Sequence, residues 1–344
     1  MDWRTAVQKA NPFFYAGEGI SISFVVQKFG GSSVRDSKRL LRAAEIIRSA
    51  YREGCAVVAV LSAQGDTTDI LLKKAGELTE QADPRELDAL LSTGEAASVA
   101  LGAIALQSMG VPAISFTAPQ VPIRTDSTYG NAAILRVGTR KIRRALNEGK
   151  VVLVTGFQGV DREGNITTLG RGGSDLSAVA LAAALRADRC QIYTDVDGVY
   201  TTDPRVCPAA KHLDTVPYGQ MLALAANGAQ VLHDRSVALA AEKGVVLEVL
   251  SCEKGSACTR VMAGSIAEGV TGITKKVRGR CATVTAIGHA FPSEEIAQRI
   301  RKTIREQGIM LYRSEDGPER FSVSVDAENA DRTLCLMHRL LIEK

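Results

Sequence analysis

The chain has 344 residues, 45% of them apolar, and carries 42 lysines and arginines against 38 acids for a net charge of +4. That length suits about two domains of the usual ~100–200 residues, and the apolar share excludes a disordered or fibrous chain. The charge is too small and too mixed for a nucleic-acid partner, and no run reaches the ~18 apolar residues of a membrane span. The first residues lack the apolar centre of a signal peptide. Seven cysteines, odd in number, scattered and without a C-x-x-C pair, suit reduced cytoplasmic thiols better than a disulfide framework. The four histidines are far apart in sequence, so no zinc site is expected.

Residues 1–22 show no periodicity and contain Pro12, Gly17 and Gly19, which reads as a loosely held extension. Val25-Val26 opens a strand that delivers Lys28 into Gly30-Gly31. Asp36 or Ser37 can cap the next helix, whose expected apolar face is Leu40, Leu41, Ala44, Ile47 and Tyr51, with Gly54 as its stop. Residues 57–61 read as a buried strand. A helix near 96–109, a strand over 113–116, a helix near 132–147 and a strand over 151–155 follow. After a second glycine turn come an alanine-rich helix over 176–185 and a strand over 191–194. This alternation predicts an α/β fold, a three-layer αβα sandwich on a mostly parallel sheet, with ligands beyond the carboxyl ends of the strands. The pattern changes near residues 263–268. Strands over 282–287, 309–312 and 321–325, a helix over 293–307 and a last helix carrying Leu334, Met337 and Leu341 predict a separate small α+β domain. The expected divisions are 1–22, 23–265 and 266–344.

Two glycine turns carry the chemistry. Backbone N–H groups approach an anion closely only where side chains are absent, and a helix N-terminus adds about half a positive charge. The first turn, Gly30-Gly31-Ser32, follows Lys28, and the second, Gly170-Arg171-Gly172-Gly173-Ser174-Asp175, supplies a cation and an acid. Alone, a glycine pair answers a tight turn and Lys28 reads as a solvated charge. The ordered company decides between these readings: Leu61-Ser62-Ala63-Gln64-Gly65-Asp66-Thr67-Thr68-Asp69, then Ser92-Thr93-Gly94-Glu95, then Ile166-Thr167-Thr168-Leu169, then the segment from Tyr193-Thr194-Asp195 to Tyr200 and Arg205.

Over residues 24–248 these motifs resemble the aspartate kinases of the amino acid kinase family. The resemblance implies the amino acid kinase fold and phosphorylation of the L-aspartate β-carboxylate by ATP with Mg2+, the first step towards lysine, diaminopimelate, threonine and methionine. It implies that magnesium is held largely by nucleotide phosphates. Lys28 would balance charge on the moving phosphoryl group, with Gly30, Gly31 and Ser32 beside it. Asp175 would orient Lys28, cap its helix, or do both. Arg171 would clamp a substrate carboxylate in two-pronged fashion, with Gly172, Gly173 and Ser174 alongside. Ser62, Thr67, Thr68 and Thr168 would add hydroxyl contacts. Glu95 is either the partner of the substrate ammonium or an exposed glutamate at a helix start. Thr194, Asp195, Tyr200, Arg205 and Gln230 would meet ATP, with Asp197-Gly198 turning a hairpin that walls the nucleotide site.

Two departures stand out. Gln230 occupies a position where the family often has lysine, leaving Arg205 as the remaining cation, and His233 reads as structural. Only one module's worth of ACT-like sequence follows Gly269, and its loop 288–293 lacks the family's Pro-Gly. The tail is therefore expected to be a ferredoxin-like ACT domain that serves homodimerisation more than effector binding. A different amino-acid acceptor, or a non-catalytic sensor, remain as alternative readings.

Overall fold

Three runs, Phe24–Phe29, Ala56–Leu61 and Val151–Thr155, are buried on alternating residues of both faces, as parallel strands covered by helices on both sides require. The computed structural model describes residues 23–253, 257–265, 268–289, 293–317 and 319–343. The expected extension over 1–22 and the centre of loop 288–293 lie outside the described residues. In chain order come β1 (Phe24–Phe29), α1 (Ser37–Arg52), β2 (Ala56–Leu61), α2 (Thr67–Leu78), α3 (Pro84–Ser108), β3 (Ala113–Phe116), β4 (Ile123–Thr125), β5 (Ile134–Val137), α4 (Arg140–Asn147), β6 (Val151–Thr155), β7 (Gln158–Val160), β8 (Ile166–Thr168), α5 (Gly173–Leu185) and β9 (Arg189–Thr194). The chain continues through β10 (Val199–Tyr200), β11 (His212–Leu213), β12 (Thr215–Pro217), α6 (Tyr218–Ala226), α7 (Asp234–Lys243), β13 (Leu247–Ser251) and β14 (Thr259–Met262). It ends with β15 (Gly269–Arg278), β16 (Cys281–His289), α8 (Glu294–Glu306), β17 (Arg313–Gly317), β18 (Arg320–Asp326) and α9 (Ala330–Leu341).

These elements form two compact units, one from the chain up to Asp197 with Leu239–Ala257, the other from Gly198–Ala238 with Cys258–Lys344. In the first unit a parallel sheet runs β13-β9-β1-β2-β6-β3. Val25, Phe29, Val57, Ala59, Leu61 and Leu153 point to one face, where they pack with Leu40, Ala44 and Ile47 of α1 and Val99 and Leu106 of α3. Residues of opposite parity, Lys28 among them, face α5, which is buried along nearly its whole length. The chain leaves β1 towards β2 on one side and returns to β9 on the other. The carboxyl end of β1 is thus the point where strand order reverses, the usual place for a ligand crevice in such sheets. A second sheet, β5-β4-β7-β8, belongs to the same unit.

In the second unit the antiparallel sheet β15-β16-β18-β17 packs Val284, Phe321 and Val323 against Ile300 and Ile304 of α8 and Leu334 and Met337 of α9. Cys207 joins that core, so the stretch after β10 is part of it.

Several expectations need correcting. Leu41 is 45% exposed, and Ala43 takes the inward place. The helix expected near 96–109 begins at Pro84, capped by the Asp83 carboxylate on Arg85 N–H; tertiary burial carries it through Ser92-Thr93-Gly94, which by propensity reads as a break. The stretch near 132–147 is a strand followed by a helix, because β5 pairs with β4 and the chain turns at Gly138, whose N–H donates to the Pro122 carbonyl at 2.8 Å. The last module gains β15 at its start, and its edge strand is the polar Arg313–Gly317 in place of 309–312. No hairpin turns at Asp197-Gly198: β9 lies in the parallel sheet, and Val199–Tyr200 pairs with β11.

Candidate active site

Lys28 leaves the end of β1 on the α5 face, and its Nζ stands 2.6 Å from Asp175 Oδ1. The two side chains are 11% and 12% exposed. Asp175 sits in the first turn of α5, where the helix N-terminus favours a negative charge. The helix starts on Gly172 with no side-chain cap, so the carboxylate serves Lys28 and leaves capping to the backbone. After Lys28 the chain turns through Gly30, whose N–H points to the Tyr193 carbonyl at 3.4 Å, into a single 3-10 turn over Gly31–Ser33. Ser32 is exposed, and its carbonyl accepts from Arg39 at 3.0 Å.

A Cβ on Gly31 would come within 2.8 Å of the Ala63 carbonyl oxygen, so only glycine permits this approach to the loop after β2. Gly65 N–H donates to Gly31 O at 3.1 Å and ties the two loops together. The Ala63 amide faces the other way and donates to Glu95 Oε1 at 3.0 Å. Ala63 therefore links the glycine turn to Glu95. A Cβ on Gly94 would lie 2.8 Å from that of Ala63, so α3 can come this near only with glycine there. Glu95 lies inside α3 and is only 3% exposed. Its Oε2 is buried with no hydrogen-bond partner among the described residues. Burial pushes its carboxyl up to about 7, against the downward pull of the Ala63 amide, its own backbone N–H and the nearby Gln158 side chain. Thr67 and Thr68, half-buried, open α2, and Thr67 donates its hydroxyl to Gln64 O at 2.6 Å. Ser62 is half-buried at the end of β2, its N–H on Phe29 O.

Sequence reasoning missed Asp88. Buried on α3, its carboxylate accepts from Thr168 N–H at 2.7 Å, Thr168 Oγ1 at 2.7 Å and Gly130 N–H at 2.9 Å. It commits the Thr168 hydroxyl and fixes the entry to the second glycine turn. In that turn Gly170 and Gly172 have φ of 74° and 69°, conformations that favour glycine. Gly173 packs so closely on Phe157 and Leu169 that a side chain would not fit. Phe157 itself has φ 68°, a strained value for an aromatic residue, held by its N–H on Ser177 Oγ and its carbonyl on Leu169 N–H. Arg171 is exposed at the tip, and Ser174 is buried against Gly156.

Thr194 and Asp195 end β9, with Thr194 Oγ1 donating to Asp195 Oδ1 at 3.0 Å. The other expected nucleotide residues belong to the second unit. There Tyr200 packs against the edge of His212, ring centroids 5.3 Å apart. Arg205 is held by Asp203 through two bonds of 3.0 and 2.9 Å. Gln230 is exposed. His233 meets the neighbouring Asp234 at 2.9 Å. No group of three acids, histidines or cysteines that could cage a cation stands beside Lys28 among the described residues, so a magnesium ion there would rely on phosphate ligands.

The sequence pattern described as the amino acid kinase family matches residues 23–251. The chain belongs to the amino acid kinase family. Over 229 residues it is 52% identical to an aspartate kinase of Pseudomonas putida, which covers 67% of this chain and 56% of that one. Over 293 residues it is 44% identical to an aspartokinase of Thermus thermophilus, 84% of this chain and 71% of the relative. The crystal structure of E. coli aspartokinase III in complex with aspartate and ADP superposes with a TM-score of 0.67 at 25% identity, over 93% of this chain and 84% of that one. The chain spans little more than half the length of the Pseudomonas relative.

The buried Glu95 gives this amino acid kinase domain a pH signature. A carboxyl whose pKa rises from 4.5 to about 7 on folding stabilises the fold fully below pH 4.5 and loses that contribution as pH climbs through 7. The parent is expected to lose on the order of 3 kcal/mol of unfolding free energy across that window relative to Glu95→Gln, which keeps the acceptor for Ala63 and never ionises. Urea unfolding of both proteins at pH 4.5, 6 and 7.5 measures it. Parallel stability curves would show that Glu95 is already hydrated and ionised in the fold.

Proposed function

We propose that the chain is an aspartate kinase, transferring the γ-phosphoryl group of ATP to the β-carboxylate of L-aspartate to give 4-phospho-L-aspartate and ADP, with Mg2+. The observation that carries the reading is the Lys28–Asp175 pair at the sheet's reversal point, joined through Gly31 and Ala63 to a buried carboxylate with one oxygen unpaired. Support comes from the aspartate kinases among its relatives and from the aspartate and ADP held by the E. coli protein.

The aspartate β-carboxylate is ionised at neutral pH, with a pKa of about 3.9, so no general base is required. Its oxygen attacks the γ-phosphorus, the bridge to the β-phosphate breaks, and ADP leaves. Magnesium carried by the nucleotide would supply charge neutralisation on the phosphates. Lys28 meets the charge on the transferring group, and Asp175 holds its ammonium in place. Glu95 Oε2 receives the substrate ammonium, a charged partner that also returns the carboxyl to its ionised form. Arg171, free to swing from an exposed turn, clamps a carboxylate. Thr194, Asp195, Tyr200, Arg205 and Gln230 serve the nucleotide. Such a product feeds lysine, diaminopimelate, threonine and methionine synthesis. Seven cysteines without a disulfide fit a reducing cytoplasm.

Lys28→Ala is expected to lower kcat about 100-fold or more with a smaller change in the aspartate KM, read by ATP-dependent hydroxamate formation. A panel of acceptors in the same assay checks the substrate: a preference for another amino acid, or full turnover without Lys28, would overturn the reading. Arg171→Lys conserves charge but loses the planar fork, so the aspartate KM should rise several-fold. An unchanged KM would place the carboxylate clamp elsewhere.

The C-terminal sheet supports a homodimer in this reading. β15 and β17 are its edges, and pairing with a second copy is one way to cover such strands. Light scattering should give twice the chain mass, and a monomer at working concentration would refute it.

A further inference from the structure

The second unit holds a polar cluster that phosphoryl transfer does not use. Cys207 Sγ, a ring nitrogen of His338 and a carboxylate oxygen of Glu343 all lie within 4.8 Å of one another. His338 is fully buried, Cys207 is 4% exposed and Glu343 opens to solvent. His338 Nδ1 meets Glu343 Oε1 at 2.8 Å, and Nε2 meets Thr201 Oγ1 at 2.9 Å. The same hydroxyl accepts the Lys211 N–H at 2.9 Å. Among the described residues no other three histidine, cysteine or acidic side chains offer ligand atoms so close together.

We propose that Cys207, His338 and Glu343 form a binding site for a zinc-class divalent cation, with His338 as ligand through Nδ1 and water in the fourth position. Thiolate, imidazole and carboxylate are the three ligand types zinc takes, whereas magnesium avoids thiolate. Zinc bonds of about 2.0–2.3 Å set tetrahedral ligand atoms about 3.3–3.8 Å apart, so the cluster closes on a cation with shifts of about an ångström or less. Thr201 supplies the outer contact that fixes the other ring nitrogen of a ligating histidine. On binding, the cation sits at His338 Nδ1, the ligating imidazole keeps one proton, on Nε2 towards Thr201, and Cys207 gives up its thiol proton to solvent; no electron moves. Cys335 is excluded from the ligands. Its Sγ donates to the Val206 carbonyl at 3.4 Å and is engaged there.

The cation would fasten the stretch after β10 to the end of α9 inside one unit. The full chain, reduced and stripped with chelator, is titrated with zinc alone against a chromogenic chelator, and with cobalt as a spectroscopic probe. Expected are one zinc per chain, a thiolate-to-cobalt charge-transfer band, and a raised unfolding temperature with zinc. Cys207→Ser should abolish the band and weaken zinc at least roughly tenfold. Glu343→Gln, which keeps an acceptor for His338 at a solvent-open position, should weaken zinc with unchanged circular dichroism. Cys335→Ser should retain band and affinity. Failure of the parent to bind one zinc, or a parent-like band in Cys207→Ser, would overturn the site. Loss of the band in Cys335→Ser would overturn its ligand set.

Discussion

A lysine and an aspartate, each about nine-tenths buried, meet at 2.6 Å between a strand end and a helix start. Taking two ions out of water costs several kcal/mol apiece, and removing one partner typically costs about 3–5 kcal/mol because the other charge stays buried. The pair therefore needs its two carriers held rigidly. On the lysine side, β1 is locked between β2 and β9, with Phe29 and Tyr193 stacked 4.7 Å apart on the face away from α5. On the aspartate side, α5 is built mostly of alanine, valine and leucine, and it beds down because nothing larger separates it from the sheet.

Close approach is the second constraint, and it explains most of the glycines around the site. Gly31 against Ala63, Gly94 against Ala63, Gly156 against Ser174 and Gly173 against Phe157 all lie where a Cβ would meet another atom within 3 Å. They bring three chain segments to one point, so the unpaired Glu95 oxygen and the Lys28 ammonium are set by backbone contacts rather than by long side chains. Phe157 shows the cost of that crowding. An aromatic residue stays in a left-handed conformation because its amide and carbonyl are both engaged.

Strand and helix alternation was legible because buried parallel strands are short runs of β-branched residues with few rivals for the pattern. Residues 113–116 and 151–155 fall where the sequence puts them. The misplacements share a cause. The polar strand Arg313–Gly317 at a sheet edge and the Ser-Thr-Gly interruption inside α3 obey tertiary pairing and burial, which local propensity does not record. The pairing of Lys28 with Asp175 was readable from the two turns together. Asp88 was not, since a single acid on a helix carries no mark of the two amides and one hydroxyl that converge on it. Cys207 and His338, far apart in the chain, gave no spacing signal at all.

The stretch carrying Tyr200 and Arg205 is built into the same compact unit as the C-terminal sheet. Thr201 bonds to His338 of α9, Ile273 N–H of β15 donates to the Thr201 carbonyl at 2.7 Å, and Cys207 packs among Ile304, Phe321 and Leu334. Arg205 sits two residues before Cys207, in a turn where the Cys207 N–H donates to the Asp203 carbonyl at 2.9 Å. Asp203 also grips the Arg205 guanidinium through its carboxylate. Arg205 and the residues of α9 and β15 are therefore linked, within one unit, by a few bonded and packed residues.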